Sequence, residues 1–223
     1  MTIDLRFDRH LCQLIKSNLR KHDSTSLDHE GRRHAAVAFT LITGSVAAGI
    51  GNIPHDTTHC EDAAFILTTR AATLSSHAGQ RAYPGGRLDP GENAEQAALR
   101  ELAEEVGLEL GSDSILGRLD DYATRSGFVI TPIVVWADRD VDLIANPGEV
   151  DQIHRIPLRE LLRADAPLLD TIEESHHPVL RMPIGDDWFA APSAAIAYQF
   201  REVALLGKDT RVVHFEQPYF AWQ

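Results

Sequence analysis

The order of elements along this 223-residue chain predicts a layered α/β (α+β) domain. Three observations carry that expectation. Apolar, β-prone runs at 34–42 (HAAVAFTLI), 63–69 and 128–137 (FVITPIVVWA) read as buried strands. Helix-period segments lie between and around them, at 8–20, 94–106 and 188–206. Glycine and proline gather in the stretches that separate these elements, where turns are needed.

Taken in order, residues 8–20 place Leu11, Ile15 and Leu19 at four-residue spacing, which gives one apolar helix face. The polar run 21–33, with Gly31, reads as a linker or mobile loop, so the chain divides into an N-terminal helix and linker (1–32) and a main domain (33–223). Gly44, Gly49, Gly51 and Pro54 predict a loop or hairpin over 43–60. Gly79, Pro84, Gly85, Gly86, Pro90 and Gly91 predict a constrained loop over 71–91. The helix at 94–106 carries its own punctuation: Asn93 as N-cap, Gln96 three residues on, and Gly107 at the stop. A short helix follows the proline at 157–162, residues 188–206 contain a second long helix centred on 194–205, and 210–215 reads as a last strand. No internal repeat interrupts this order.

Composition narrows the function classes. Hydrophobic residues make up 43% and charged residues 24%, ordinary for a globular protein. No apolar run approaches the roughly 18–20 residues that span a bilayer. The first residues lack the charged-then-apolar layout of a secretory signal, so a cytoplasmic location is expected. Cys12 and Cys60 are too few for a disulfide framework and have no metal-ligand spacing. A formal net charge of −12 disfavours a nonspecific nucleic-acid binder. An acidic protein can hold an anionic substrate only through local basic residues, backbone N–H groups or a bound cation.

The chemistry-bearing segment is the helix at 94–106. Glu101, Glu104 and Glu105 fall three and four residues apart and project from one side, beside an apolar stripe of Ala94, Ala98 and Leu102. Like charges at that spacing repel by a few tenths of a kcal/mol per pair. They are either a solvated acidic face or the ligands of a hard divalent ion.

Gly86, Glu92, Arg100, Glu101, Leu102, Glu104, Glu105, Gly107 and Leu108 match the pattern G-x5-E-x7-R-E-U-x-E-E-x-G-U, with U aliphatic, at every defined position. At residue frequencies near 7%, seven fixed positions coincide by chance on the order of 10⁻⁸. The segment is thereby identified as resembling the box of the Nudix hydrolases. That resemblance implies a mixed β-sheet sandwiched between α-helices and metal-dependent hydrolysis of a nucleoside diphosphate derivative. Mg²⁺ or Mn²⁺ would be the cofactor, Glu101, Glu104 and Glu105 its ligands, and Glu92 a nearby one. Arg100 would pair with Glu92 or its neighbours to hold the loop, and Gly86 and Gly107 would be conformational.

Upstream, Ile66, Leu67, Thr68, Arg70, Ala71, Gly79, Tyr83, Pro84, Gly85 and Gly86 are similar to the signature of the coenzyme A pyrophosphatase branch. Asn146, Pro147, Glu149 and Val150, then Pro157 and Leu158, resemble its downstream segment. The mid-signature basic residue is Ser75 here, and the usual I-W-G-x-T-A is replaced by PSAAIA at 192–197. The resemblance covers roughly residues 62–162. It implies hydrolysis of CoA or acyl-CoA to 3′,5′-ADP and (acyl-)4′-phosphopantetheine. Arg70, Arg81, Gly85 and Gly86 are the candidate substrate contacts, and Glu149 and Glu104 the candidate general bases. The alternatives are another substrate of the class (NADH, ADP-ribose, a dinucleoside polyphosphate) or a non-catalytic regulator that binds such a ligand. A homodimer is an expectation too, through residues 1–20 or the terminal Tyr219, Phe220 and Trp222. His176 and His177 are expected at the surface.

Overall fold

Asp8 starts the first element by accepting the backbone N–H groups of His10 and Leu11 at 2.8 and 3.0 Å, which caps helix α1 (Arg9–Lys21). The computed structural model describes residues 3–29, 31–44, 50, 51, 53, 61–72, 78–137 and 141–218. Cys60, Ser75, His77, Tyr219, Phe220, Trp222 and most of the expected 43–60 loop lie outside the described residues. Leu11, Ile15 and Leu19 of α1 are buried in the same apolar cluster as the central strands, so this helix is packed onto the sheet.

Among the described residues the further elements are β1 (Arg33–Thr43), β2 (Ala63–Arg70), β3 (Arg81–Ala82), β4 (Gly85–Arg87), α2 (Ala94–Val106), β5 (Ile115–Arg118), β6 (Tyr122–Ala123), β7 (Phe128–Trp136) and β8 (Val150–Pro157). A three-stranded meander follows, β9 (Leu168–Ile172), β10 (Ser175–Ile184) and β11 (Asp187–Ala190), and then α3 (Ser193–Gln199). The main sheet is mixed. Strand β1 runs parallel to β7 from Arg33↔Phe128 to Leu41↔Trp136. On its other edge β1 divides its pairing: Ala35–Val37 face β4, whereas Leu41–Thr43 face β2. Beyond that divergence β2 pairs with β3 and, over most of its length, with β8. The split leaves β4 beside the start of α2.

Alternation along the strands sorts the core into two layers. Ala36, Ala38 and Ile42 of β1, Ala64 and Ile66 of β2, and Ile133 and Val135 of β7 pack on Ala97, Ala98, Leu102 and Val106 of α2. Alanines on both sides of that contact let the helix sit close to the sheet. Phe39, Leu41, Phe65, Leu67 and Val134 point the opposite way and are covered by α1, α3 and Phe200. The sheet thus lies between helices.

The expected strands and the helix at 94–106 are found within a residue or two, and α2 has a full capping box plus Gly107 in the left-handed region at φ 71°. Two elements differ. The helix expected within 188–206 and centred on 194–205 is found from Ser193, but from Phe200 to Leu205 its backbone winds as a π-helix, and Asp187–Ala190 before it forms β11. The segment 210–215 is a turn and not a strand. Its backbone groups bond locally (Phe215 N–H to Val212) and to side chains, Gln199 to Thr210 and Tyr122 to Phe215, and only Glu216 makes a single bridge to Val179. His176 and His177 are exposed on β10.

Candidate metal centre and substrate cleft

Arg100 organises the loop that leads into α2. Its Nε and Nη2 donate to the two carboxylate oxygens of Glu92, each at 3.0 Å, and Nη2 also donates to the Arg87 carbonyl at 3.0 Å. Its Nη1 donates to Glu101 at 2.8 Å and Glu104 at 2.9 Å. Glu92 in turn accepts the Asp89 N–H at 2.9 Å. The guanidinium holds the Glu92 carboxyl below the usual carboxylate range. Glu92 is therefore committed to the loop and stands outside the cluster described next.

One oxygen each of Glu101, Glu105 and Glu149 come within 4.8 Å of one another. Glu105 is 3% exposed, and the side chain of Glu101 is 12% exposed. Burial, then the charges of Glu101 and Glu149, push the Glu105 carboxyl up to about 8, against the pull of Arg70 and of a hydrogen bond from the Gly85 N–H. Burial also raises Glu101, with Arg100 acting in the other direction. Two unit charges at that separation repel by about 3 kcal/mol at an effective dielectric constant of 20. A solvated acidic face would avoid both burial and repulsion; Glu101 and Glu105 have neither escape. Three converging hard oxygen donors fit a divalent ion such as Mg²⁺ or Mn²⁺.

Glu149 reaches the trio from a loop fastened to the end of α2. Ile144 and Asn146 donate their N–H groups to the carbonyls of Val106 and Glu105, both at 2.9 Å, and Ala71 at the end of β2 donates to Glu149 at 2.8 Å. These bonds also satisfy carbonyls that a helix end leaves unpaired. Gly86 is required on the other side of the site. A Cβ built there would lie 2.1 Å from Glu101 Oε1. Glu104 stands apart: its side chain is 53% exposed and engaged by Arg100, outside the trio.

A cleft of about 370 Å³ opens from Gly85 and Gly86 and is walled by Arg70, Arg81, Arg87 and Phe128 on one side and by residues 188–193 on the other. Much of its lining is apolar, including Val37, Ile130, Phe189 and Ile196. Tyr83 forms part of the wall and its hydroxyl, raised well above its ordinary range by burial, donates to Ser193 at 3.1 Å. The two arginines named from the sequence differ in their situation. Arg81 lines the cleft, but its guanidinium donates to Asp187 at 2.6 Å and to the Trp188 carbonyl at 3.1 Å. Arg70 keeps a buried Nε with no hydrogen-bond partner and lies near enough to Glu105 to act on its charge. Phe128, Arg87 and the wall from 188 to 193 carried no sequence signal for this role. They are brought to the cleft by strand register and by the meander.

A NUDIX domain profile matches residues 53–181, more than half of the chain. The chain belongs to the NUDIX family. Relatives of this Nudix protein include an uncharacterised Nudix hydrolase NudL of Photorhabdus laumondii, 44% identical over 134 residues, which are 60% of this chain and 63% of that one. Nudix hydrolase 3 of Caenorhabditis elegans is 41% identical over 102 residues, 44% of this chain and 42% of the other. The chain therefore spans between about two fifths and just under two thirds of these relatives. Among solved structures, a MutT/nudix family protein of Enterococcus faecalis aligns with a TM-score of 0.47 and 14% identity, over 82% of this chain and 60% of that one. The profile match ends at Arg181, so β11 and α3, which wall the cleft, lie beyond it.

Proposed function

We propose that this Nudix protein hydrolyses a diphosphate linkage in a nucleoside diphosphate derivative, and that coenzyme A or an acyl-CoA is the preferred substrate. The observation that carries the hydrolase reading is the convergence of Glu101, Glu105 and Glu149, with Glu105 buried, behind Gly85 and Gly86, which line a cleft large enough for part of a nucleotide. Glu101 and Glu105 would hold Mg²⁺ or Mn²⁺ with Glu149 beside them. When bound, the ion neutralises the diphosphate and lowers the pKa of a coordinated water.

The chain's own residues account for the rest. Arg70 and the Gly85 and Gly86 backbone border the diphosphate side of the cleft, where Arg70 has an unpaired Nε to offer a phosphate oxygen. Glu149, free of any described ion pair, takes the proton of the water that attacks phosphorus. The P–O bond to the bridging oxygen breaks, and two phosphomonoesters leave. Glu104 is the lesser candidate for that proton, because Arg100 already occupies it. Arg100 and Glu92 act by positioning the loop and Glu101.

The CoA reading is supported by where its signature residues fall. Arg70, Tyr83, Gly85 and Gly86 border one cleft together with the candidate contact Arg81, and Asn146 and Glu149 form the loop that brings Glu149 to the trio. We further propose that residues 33–223 form the hydrolase domain proper, with 1–32 packed on it. The test is hydrolysis of CoA, an acyl-CoA, NADH, ADP-ribose and a dinucleoside polyphosphate with Mg²⁺ or Mn²⁺, products resolved by chromatography. Release of 3′,5′-ADP at the highest kcat/KM is expected. Turnover of another member without 3′,5′-ADP from CoA rejects CoA but keeps the reaction class. No turnover of any member rejects both.

A further inference from the structure

At the cleft, one phenylalanine gathers two arginines. Strand register makes the arrangement: Arg33 of β1 sits opposite Phe128 of β7, and Arg87 of β4 sits opposite Ala35, two residues further along β1. The Arg33 guanidinium lies 3.9 Å from the Phe128 ring centroid, and that of Arg87 lies 5.4 Å from it. Arg33 donates one N–H to the Ser126 carbonyl at 2.8 Å. Among the described residues neither arginine has a carboxylate partner. By contrast Arg81, Arg100, Arg118, Arg125 and Arg163 are each paired with a carboxylate.

Leaving two guanidiniums converged and unpaired is unexpected in a chain of net charge −12, where acidic side chains outnumber basic ones 33 to 21. Arg87, Ser126 and Phe128 all line the cleft, and the Arg87 backbone is fixed because its carbonyl accepts Arg100. The backbone beneath the cation is therefore tied to the glutamate helix, while the exposed side chain stays open to a ligand. The nearer glutamate end of the cleft is served by Arg70, and Arg81 is neutralised by Asp187. Arg87 is left as the cleft-lining cation without a partner among the described residues.

Building on the hydrolase reading above, we propose that Arg87, backed by Arg33 across Phe128, is a specificity site for a phosphate monoester that the substrate carries apart from its scissile diphosphate. A planar fork of donors matches a phosphate dianion, and the aromatic ring keeps the fork from collapsing onto a neighbour. The enzyme would then prefer a nucleotide bearing that extra phosphate over the same nucleotide without it.

Matched pairs test this. CoA is compared with 3′-dephospho-CoA, and NADPH with NADH, in the parent, Arg87→Ala, Arg87→Lys and Arg33→Ala proteins. A lost charged contact to phosphate corresponds to about a tenfold to hundredfold change. The parent is expected to show a KM at least about tenfold lower for the phosphorylated member of a pair it hydrolyses. In Arg87→Ala that ratio collapses towards one, with Arg87→Lys intermediate and Arg33→Ala shifting it in the same direction by less. A ratio near one in the parent, or an Arg87→Ala ratio equal to the parent's, overturns the proposal. If no member is hydrolysed, the failure belongs to the reaction reading. Calorimetric titration of the metal-free protein with 3′,5′-ADP and 5′-AMP then decides the site by itself. Tighter binding of the bisphosphate that Arg87→Ala abolishes sustains it, and equal binding of the two nucleotides overturns it.

Discussion

Replacing Glu105 by glutamine separates the electrostatic state of the site from its shape. The amide keeps the size of the side chain and can still accept the Gly85 N–H, but it removes one of three converging negative charges. In the metal-free protein the Glu105 carboxyl stands at about 8 against an ordinary 4.5. At about 1.4 kcal/mol per pH unit, that displacement is worth at most about 5 kcal/mol. Relaxation and water entry into a site bordering a cleft reduce it, and about 2–3 kcal/mol is the expected effect.

The sign follows from which form the fold favours. A carboxyl raised in the folded state favours the protonated form, so its contribution is fully present below about pH 4.5 and is lost as pH rises through about 8. The metal-free parent therefore loses stability relative to Glu105→Gln between those limits, and glutamine does not titrate. In EDTA, thermal unfolding at pH 5 is expected to give similar midpoints, and at pH 9 the variant should melt about 5–10 °C higher, at 2–4 °C per kcal/mol for a chain of this size. Adding Mg²⁺ at pH 9 should raise the parent and move the variant much less, since binding to the folded state alone stabilises it. Hydrolysis should fall on the order of 100-fold or more. A variant that melts below the parent at pH 9 in EDTA, or that keeps full Mg²⁺-dependent turnover, refutes the reasoning.

Arg100→Met removes the group that joins Glu92, Glu101 and Glu104. Expected are a loss of about 2–4 kcal/mol in chemical denaturation and a weaker Mg²⁺ response, because partly buried carboxylates lose their partner. Gly86→Ala drives a methyl group into Glu101 Oε1, so kcat should fall at least about 100-fold while circular dichroism keeps its parental shape. Ile15→Ala opens a cavity between α1 and the sheet and should destabilise by about 2–5 kcal/mol; an unchanged urea midpoint would mean that α1 is not part of the folding unit.

How much of this was legible in the sequence depends on the range of the interaction involved. Helix α2 was readable end to end, since a capping box, a left-handed glycine and the glutamate spacing are all local features. Strands β1, β2 and β7 were readable because their residues are apolar on both faces, as a sheet covered by helices on both sides requires. The meander was missed. Strand β10 carries Pro178 and Pro183 among histidines and an arginine, which reads as loop, and it forms only because β9 and β11 flank it. Arg81 shows the same limit at the site. Nothing near it in sequence foretells Asp187, 106 residues away, yet that pairing fixes where its charge goes. Arg87 is the reverse case: it occupies an undefined position of the box, and only the register of β1 with β4 and β7 brings it to Phe128.

The three glutamates first stood out as a charge pattern that a solvated helix face could equally produce. Burial removes that equivalence. A solvated face lowers its repulsion by spreading into water, whereas Glu101 and Glu105 are held beside β4, where Gly86 leaves room for the Glu101 carboxylate that a larger residue would displace. The fold thus keeps a locally unfavourable state and supports it through contacts elsewhere: Arg100 on the loop, the bonds from Ile144 and Asn146 to the helix end, and the alanine contact between α2 and the sheet. The same construction answers the problem set by a net charge of −12. On the proposed reading, a cation gathered by the trio would add positive charge to that which Arg70 and Arg87 bring to the cleft, so an anionic substrate would meet a basic path inside an acidic protein.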